Sequence, residues 1–286
     1  MEPLLDIAGN TITNVDPLVE FCVSHRRLFV LTGAGISTAS GISDYRDHLG
    51  EWKQQQPMGY RDFVGSAAMR QRYWARSLVG WRRFVNAQPN AAHHALCELE
   101  QAGHISCLVT QNVDDLHRRA GHQRVVDLHG RLASVLCLDC GSRFARSAVQ
   151  MQLVLRNPHF QHVTAPHAPD GDAHLPERHF VDFVVPGCAA CGGILKPDVV
   201  FYGESVPGER VAEAYAALLE ADAMLVIGSS LMVFSGYRFV RRALEQGKRV
   251  AAINLGRTRA DGDLHLKLAA PCVPVLRELR AALGLP

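Results

Sequence analysis

The chain has 286 residues, 48% of them apolar and 20% charged, with a formal net charge of +2. That length accommodates one large domain or two smaller ones and can bury a substantial core. So small a charge makes no electrostatic case for nucleic acid or an acidic membrane as partner, and no apolar run reaches the ~18 residues that span a bilayer.

The N-terminus, MEPLLDIAGNTITNVDPLVEF, carries acids and lacks both an apolar signal core and an Arg-rich amphipathic leader, so the expectation is a cytoplasmic protein. A helical pattern over 16–26 (DPLVEFCVSHR) places apolar residues at i, i+3 and i+4. The run Leu28 to Leu31 then enters the glycine turn TGAGIS, as a buried strand enters a ligand loop. Further helical patterns lie at 90–103, 208–222 and 236–248. Buried-strand patterns end at TQN (to Asn112), LHG (to Gly130), YGE (197–204), GSS (223–230) and NLG (249–256). Alternating strand and helix predicts a Rossmann-like, doubly wound parallel α/β sheet. Ligands bind such sheets at the carboxyl ends of the strands, so six polar motifs there predict one shared site. Residues 131–196 interrupt the rhythm, which resumes at Pro197. The expected organisation is a discontinuous nucleotide-binding domain, 1–130 with 197–286, and a small inserted domain, 131–196.

The glycine turn is a weak signal by itself. Gly33, Ala34 and Gly35 can bring backbone N–H groups to a pyrophosphate, but Thr38 stands where a dehydrogenase fingerprint has its third glycine. No strand follows soon enough to supply the usual ribose-binding acid, which disfavours hydride transfer without disfavouring a dinucleotide. The motifs TQNVD (110–114) and DLHG (127–130) gather amide, carboxylate and imidazole at neighbouring strand ends. Gln111 and Asn112 can bond a sugar or an amide, Asp114 can orient a polar group, and His129 is the natural general base near neutral pH.

The cysteines fall into two C-x-x-C pairs, Cys137/Cys140 and Cys188/Cys191, with Gly141 and Gly192 directly after them. Four soft ligands close a tetrahedral Zn²⁺ site with no position open for catalysis. The competing reading is a redox dithiol, which would have to occur twice. The 47 residues between the pairs (141–187) exceed the ~15–20 of a compact zinc ribbon, so a long excursion leaves and returns. His159, His162, His167, His174 and His179 on that excursion are expected to be incidental histidines of a solvated flap.

Together GAGIS…SGISDYRD (33–47), TQNVD, LHG, the two cysteine pairs, GGILKPDVVFYGE (192–204), GSSL (228–231), INLG (253–256) and Cys272 resemble the sirtuins, NAD-dependent protein-lysine deacylases. The stretches QRYWARSLVGWRRF, VLCLDCG, HAPDGD and SSLMVFSGYRF resemble class II sirtuins, the branch with the mitochondrial lipoamidase-type member. With no leader pattern, a bacterial enzyme is expected. Ser43 departs from the proline of the GIPDFR motif, and Tyr45 from its phenylalanine.

The resemblance implies NAD as consumed co-substrate and one structural Zn²⁺. It implies NAD contacts from Gly33, Ala34, Gly35, Ser37, Tyr45, Arg46, Gln111, Asn112 and Asp114. The adenosine half would meet Gly228, Ser229, Ser230, Asn254, Leu255, Gly256 and Cys272. His129 would be the base, with Asn112 and Asp114 assisting, and the products nicotinamide, free lysine and 2′-O-acyl-ADP-ribose. Acyl-lysine proteins would add as a strand between 199–204 and 231–236, touching Val200, Phe201, Gly203, Glu204, Val233 and Phe234. Tyr73 and Arg76, one helical turn apart, would meet the acyl group, and an arginine there suits an acidic acyl end. Ordinary packing of that helix face is the alternative. Class II acyl preferences range over acetyl, lipoyl- or biotinyl-like and branched acidic chains. Two other functions stay open: mono-ADP-ribosyl transfer from the same NAD site, and a zinc-stabilised NAD or ADP-ribose sensor without catalysis.

Overall fold

The structure is a computed structural model, and it describes residues 4–5, 11–12, 15–53, 56–165, 172–173, 175–176, 180 and 182–285. His167, His174 and His179 lie outside the described residues. A two-stranded antiparallel pair, β1 (Leu4–Leu5) and β2 (Thr11–Ile12), precedes helix α1 (Asp16–Ser24), which has a proline at its start, where the missing N–H costs nothing. Strand β3 (Leu28–Thr32) leads into helices α2 (Tyr60–Gly65), α3 (Ala67–Asn86) and α4 (Ala91–Gln101). Then come β4 (Ile105–Thr110), α5 (Leu116–Arg119), β5 (Val125–Asp127), β6 (Gly130–Cys137), β7 (Arg143–Ala145), α6 (Arg146–Arg156) and β8 (Leu195–Val199). Helix α7 (Gly208–Glu220), β9 (Ala223–Ile227), α8 (Phe234–Glu245), β10 (Val250–Ile253), β11 (Leu266–Leu268) and α9 (Cys272–Ala282) complete the chain.

Six strands form one parallel sheet in the order β11-β10-β9-β3-β4-β5. Strands β3, β9 and β10 are buried at every position and almost wholly apolar because helices cover both faces. Leu28 and Val30 of β3 pack into one core with Leu18, Leu96 and Leu276 from α1, α4 and α9. Phe29 and Leu31 face the other core, with Leu218 of α7 and Phe239 of α8. This period of two is the pleat itself. The sheet starts at β3, builds outward to β5, then crosses back to β9, so the strand order reverses between β3 and β9. A crevice at such a reversal is where open α/β sheets bind ligands.

Two expectations need correction. The stretch 197–204 does not belong to the parallel sheet: β8 pairs antiparallel with β6, which also pairs with β7, in a separate three-stranded sheet. The sixth parallel strand is β11, whose three residues carry too short a pattern to register as a strand. Residues 60–86, expected in the large domain, also pack elsewhere. Phe63, Tyr73, Trp74 and Leu78 of α2 and α3 share a third core with Leu132, Val135, Leu153 and Leu195. Trp74 Nε1 donates to the Leu195 carbonyl at 3.3 Å, tying α3 to β8.

Candidate active site

The β3–β9 crevice is closed by backbone contact. Gly33 N donates to Ile227 O at 3.0 Å and Gly35 N to Gly228 O at 2.8 Å. A Cβ on Gly33 would lie 2.7 Å from Ser229 Cβ, and one on Gly35 2.9 Å from the Gly228 backbone. Gly228 itself has φ +62°, a left-handed conformation that favours glycine. This cradle opens into a cavity of about 1400 Å³ along the carboxyl edge of the sheet.

The expected site residues gather there with one exception. Gly33, Ala34, Gly35, Ser37, Tyr45 and Arg46 line the cavity after β3; Gln111, Asn112 and Asp114 line it after β4; His129 follows β5. Gly228, Ser229, Ser230, Asn254, Leu255, Gly256 and Cys272 line the far end, and Val200, Phe201, Gly203, Glu204, Val233, Phe234 and Tyr73 the other. Arg76 is the exception. It does not line the cavity; its Nε donates to Ala173 O at 2.9 Å and its Nη2 lies 3.9 Å from Asp172 Oδ2. Phe234, expected on a strand edge, instead opens helix α8. Arg46 turns back on its own loop, donating to Gly50 O at 2.7 Å with its guanidinium 4.0 Å from the centre of the Trp52 ring.

Polar groups around the crevice are tightly bonded. Ser37 Oγ donates to Asp114 Oδ2 at 2.6 Å, and Asn112 Nδ2 donates to Gly33 O and to Ser37 Oγ, both at 3.1 Å. Ser229 Oγ donates to Gln111 Oε1 at 2.6 Å. Burial raises the Asp114 carboxyl above the ordinary carboxylate value, opposed by its bonds from Ser37 and Leu116 N.

His129 is half-buried in the cavity wall, and desolvation pushes its pKa down to about 4. Its Nδ1 lies 2.9 Å from the Gln111 carbonyl oxygen, which can only accept, so the ring proton sits on Nδ1. Nε2 therefore presents a lone pair, and it accepts from Ser235 Oγ at 2.8 Å. Sequence reasoning missed Ser235. It lies within SSLMVFSGYRF, but nothing in the spacing ties it to a histidine 106 positions away.

Two buried supports were also missed. Thr32 Oγ1 donates to Thr110 Oγ1 at 2.9 Å, so at 2.9 Å it accepts from His117 Nε2; Thr110 Oγ1 in turn receives Asn112 N at 3.1 Å. His117 continues into a buried stack with His93 (4.8 Å between ring centres) and His122 (5.2 Å). Lys196, 3% exposed, lies 3.1 Å from Glu204 Oε2, and the same carboxylate oxygen receives Phe201 N at 2.8 Å. That pair fixes the 200–204 turn, so Glu204 is committed to Lys196.

The four thiols of Cys137, Cys140, Cys188 and Cys191 lie within 4.8 Å of one another. Cys137 and Cys191 sulfurs are 3.6 Å apart and those of Cys140 and Cys188 3.8 Å. A tetrahedral zinc with Zn–S of about 2.3 Å requires sulfurs about 3.8 Å apart. The set fits structural Zn²⁺. Gly141 (φ +73°) and Gly192 (φ +77°) make the turns behind each pair, and Gly192 N donates to Cys188 O at 2.8 Å. Asp139 Oδ2 accepts from Ile194 N at 2.8 Å, locking the two turns together. His159 and His162 sit exposed in the short turn of helix Pro158–His162.

A parallel sheet with a backbone cradle at its reversal point, a neutral histidine in the same cavity and a thiolate clamp in the second lobe defines a nucleotide-using enzyme with a structural metal. The Sir2 family profile matches residues 33–235. The NAD-dependent protein deacetylase of Bordetella bronchiseptica is 57% identical over 268 residues, covering 94% of this chain and 98% of that one. The NAD-dependent protein deacetylase of Xanthomonas campestris is 56% identical over 270 residues, covering 94% and 92%. A solved Sir2 structure with a p53 peptide and NAD⁺ superposes with a TM-score of 0.78 at 28% identity, covering 95% of this chain and 99% of that one. The chain belongs to the Sir2 (sirtuin) family.

Proposed function

We propose that this protein is an NAD-dependent protein-lysine deacylase that releases nicotinamide and O-acyl-ADP-ribose. The observation that carries the reading is His129: neutral, its proton held on Nδ1 by the Gln111 carbonyl, its Nε2 lone pair in the same cavity as the glycine cradle. The bacterial relatives named NAD-dependent protein deacetylases support it, as does the neighbouring structure with peptide and NAD⁺.

NAD bound there would supply the ribose carbon that the acyl oxygen attacks as nicotinamide leaves and the hydroxyl that takes the acyl group, with one water consumed in freeing the lysine. Everything else falls to the chain. Gly33, Ala34 and Gly35 admit the pyrophosphate at a turn where a Cβ on either glycine would collide with Gly228 and Ser229. Gln111, Asn112 and Asp114, bonded to Ser229, Gly33 and Ser37, hold the ribose and nicotinamide end. Gly228, Ser229, Ser230, Asn254, Leu255, Gly256 and Cys272 enclose the adenosine half. His129 Nε2 accepts a ribose hydroxyl proton when that hydroxyl replaces Ser235 as donor. The acyl-lysine peptide lies extended between 199–204 and 231–233. Cys137, Cys140, Cys188 and Cys191 would hold zinc, which would tie the two turns of the second lobe together and leave no open position for chemistry. The reading includes the division into an NAD-binding domain (1–130 with 197–286) and a zinc-binding domain (131–196), with α2 and α3 packed on the latter. It also includes a class II-type acyl preference over acetyl, lipoyl- or biotinyl-like and branched acidic chains. The reading also includes a cytoplasmic location. No helix among the described residues is long and apolar enough to cross a membrane.

The test is incubation with NAD and acyl-lysine peptides, followed by mass spectrometry. Free lysine peptide and O-acyl-ADP-ribose should appear in equal amounts. Protein-bound ADP-ribose without deacylation would point to mono-ADP-ribosyl transfer; NAD bound but intact would point to a sensor.

A further inference from the structure

We propose that Asp172 restricts the enzyme to uncharged acyl groups, by holding the Arg76 guanidinium away from the acyl end of the cavity. The inference rests on the deacylase reading and narrows its acyl range. Beyond the carbon that reacts beside His129, an acyl chain must continue into the part of the cavity lined by Met58, Tyr73, Val113, Leu132, Val199 and Phe201. This arm is apolar and stiff. Tyr73, 4% exposed, stands edge-on to Phe63 with ring centres 5.4 Å apart, and Phe63 stands edge-on to Phe201 at 5.1 Å.

Arg76 follows Tyr73 by one turn of α3, where its charge could reach the end of the arm. It is drawn off instead. Ala173 N donates to Arg76 O at 3.2 Å while Arg76 Nε donates to Ala173 O at 2.9 Å, so residue 173 clasps Arg76 from both ends. Asp172, 1% exposed, sets its carboxylate 3.9 Å from Arg76 Nη2. Its charge also acts on Arg146, fully buried behind the arm. Arg146 lies 5.3 Å from the Trp74 ring centre and 4.9 Å from that of Trp81, donating to Gln150 Oε1 and Ser77 Oγ. One buried carboxylate thus pairs with Arg76 and also favours the charge on Arg146. A chain ending in a carboxylate would lose its water in the arm and find Arg76 already paired, which is costly for a desolvated charge. A neutral chain loses nothing and gains apolar contact.

The experiment measures kcat/KM at saturating NAD for acetyl, butyryl, octanoyl, succinyl and glutaryl forms of one lysine peptide. The wild-type protein should turn over the neutral chains, with succinyl and glutaryl at least ~100-fold slower. Asp172→Asn should raise the two dicarboxylic substrates about tenfold, with acetyl within about threefold. The gain should vanish in Asp172→Asn/Arg76→Ala. Arg76→Ala alone should shift neutral and dicarboxylic substrates by the same factor, and with the wild-type panel it decides the matter even if Asp172→Asn does not fold. Preference of the wild-type enzyme for succinyl or glutaryl over acetyl would overturn the inference, as would an Arg76→Ala loss confined to dicarboxylic chains. Turnover of none of the peptides would sink the deacylase reading and this inference together.

Discussion

At the carboxyl edge of the sheet the ligand surface is backbone. Gly33, Gly35 and Gly228 approach so closely that side chains would collide, and the polar side chains behind them are satisfied by neighbours one or two strands away. The zinc module in the second lobe works the other way. Its four sulfurs come from two turns far apart in sequence, its sheet has three strands, and its apolar core borrows α2 and α3. The first region is rigid because a six-stranded sheet is already folded beneath it. The second joins its two turns by few direct bonds, Leu138 N to Ile194 O at 2.9 Å and the Asp139 lock, and by the ion its cysteines would bind. One surface is positioned by the fold, the other positions part of the fold.

Removing the metal should therefore separate the two regions most. A Cys137→Ser/Cys191→Ser protein, or the wild type under strong chelation, should lose the structure of 131–199 while the parallel sheet persists. Structural zinc in small modules contributes on the order of 10 kcal/mol. Hydrogen exchange should show loss of protection in β6–β8 with β3, β4 and β9 still protected. Uniform loss across both regions would mean the sheet depends on the clamp as well. The next largest effect belongs to the edge. His129→Ala should lower kcat by roughly 10²–10⁴-fold, the range for losing a general base, with little change in thermal midpoint. A variant retaining more than a tenth of wild-type turnover would remove His129 from its assigned role.

The same contrast explains what could be read without the structure. At the sheet edge each motif adjoins its own strand, so TGAG, TQN, LHG and GSS announce both strand and site in a few adjacent residues. The zinc ligands were legible because C-x-x-C is a local spacing even when its partner is distant. What could not be read depends on pairs with no local signature. Ser235 meets His129 across 106 positions, Lys196 meets Glu204 inside a stretch that looks like a plain strand, and Asp172 lies against Arg76, which was expected to meet the acyl group. Strand 197–204 was misplaced for a related reason: an apolar run says that a strand is buried, not which sheet buries it.

Under the edge lies the stack of His93, His117 and His122, all below 5% exposed. Burial lowers all three: His93 to about 3, His117 well below the ordinary histidine value, and His122 less far, because Glu100 at 2.8 Å opposes it. Folded pKa values below the unfolded one mean that the unfolded chain binds more protons under about pH 6.5. Stability is thus complete above that pH and falls as pH drops. Acid also weakens thiolate–zinc binding, so a difference is the cleaner reading. Between pH 6 and 5, the slope of unfolding free energy with pH should be shallower in His117→Gln by up to about 1.4 kcal/mol per pH unit, one proton's worth. Gln keeps a donor for Thr32. An unchanged slope would mean that His117 is protonated in the fold.

The smallest effect sharpens the account of the edge most. Ser235 donates to His129 Nε2 at 2.8 Å, which admits two roles. If Ser235 merely occupies the lone pair until a substrate hydroxyl displaces it, Ser235→Ala costs one neutral hydrogen bond's worth of orientation, about 1 kcal/mol or roughly fivefold in kcat/KM. The imidazole keeps its tautomer, because the Gln111 carbonyl still holds the proton on Nδ1. If instead Ser235 carries the proton between substrate and ring, Ser235→Ala should fall toward His129→Ala. The displaced-donor role is expected, since Nε2 already faces the cavity and Gln111 alone fixes the ring proton. The pH profile separates the two. With the His129 pKa at about 4, kcat/KM in wild type and Ser235→Ala should stay flat from neutral pH to about pH 5, with parallel acid limbs below it. Collapse of the Ser235→Ala rate at every pH, restored by Ser235→Thr, would make the hydroxyl part of the proton path. The backbone-built edge would then depend on one side chain as strongly as the zinc module depends on its four.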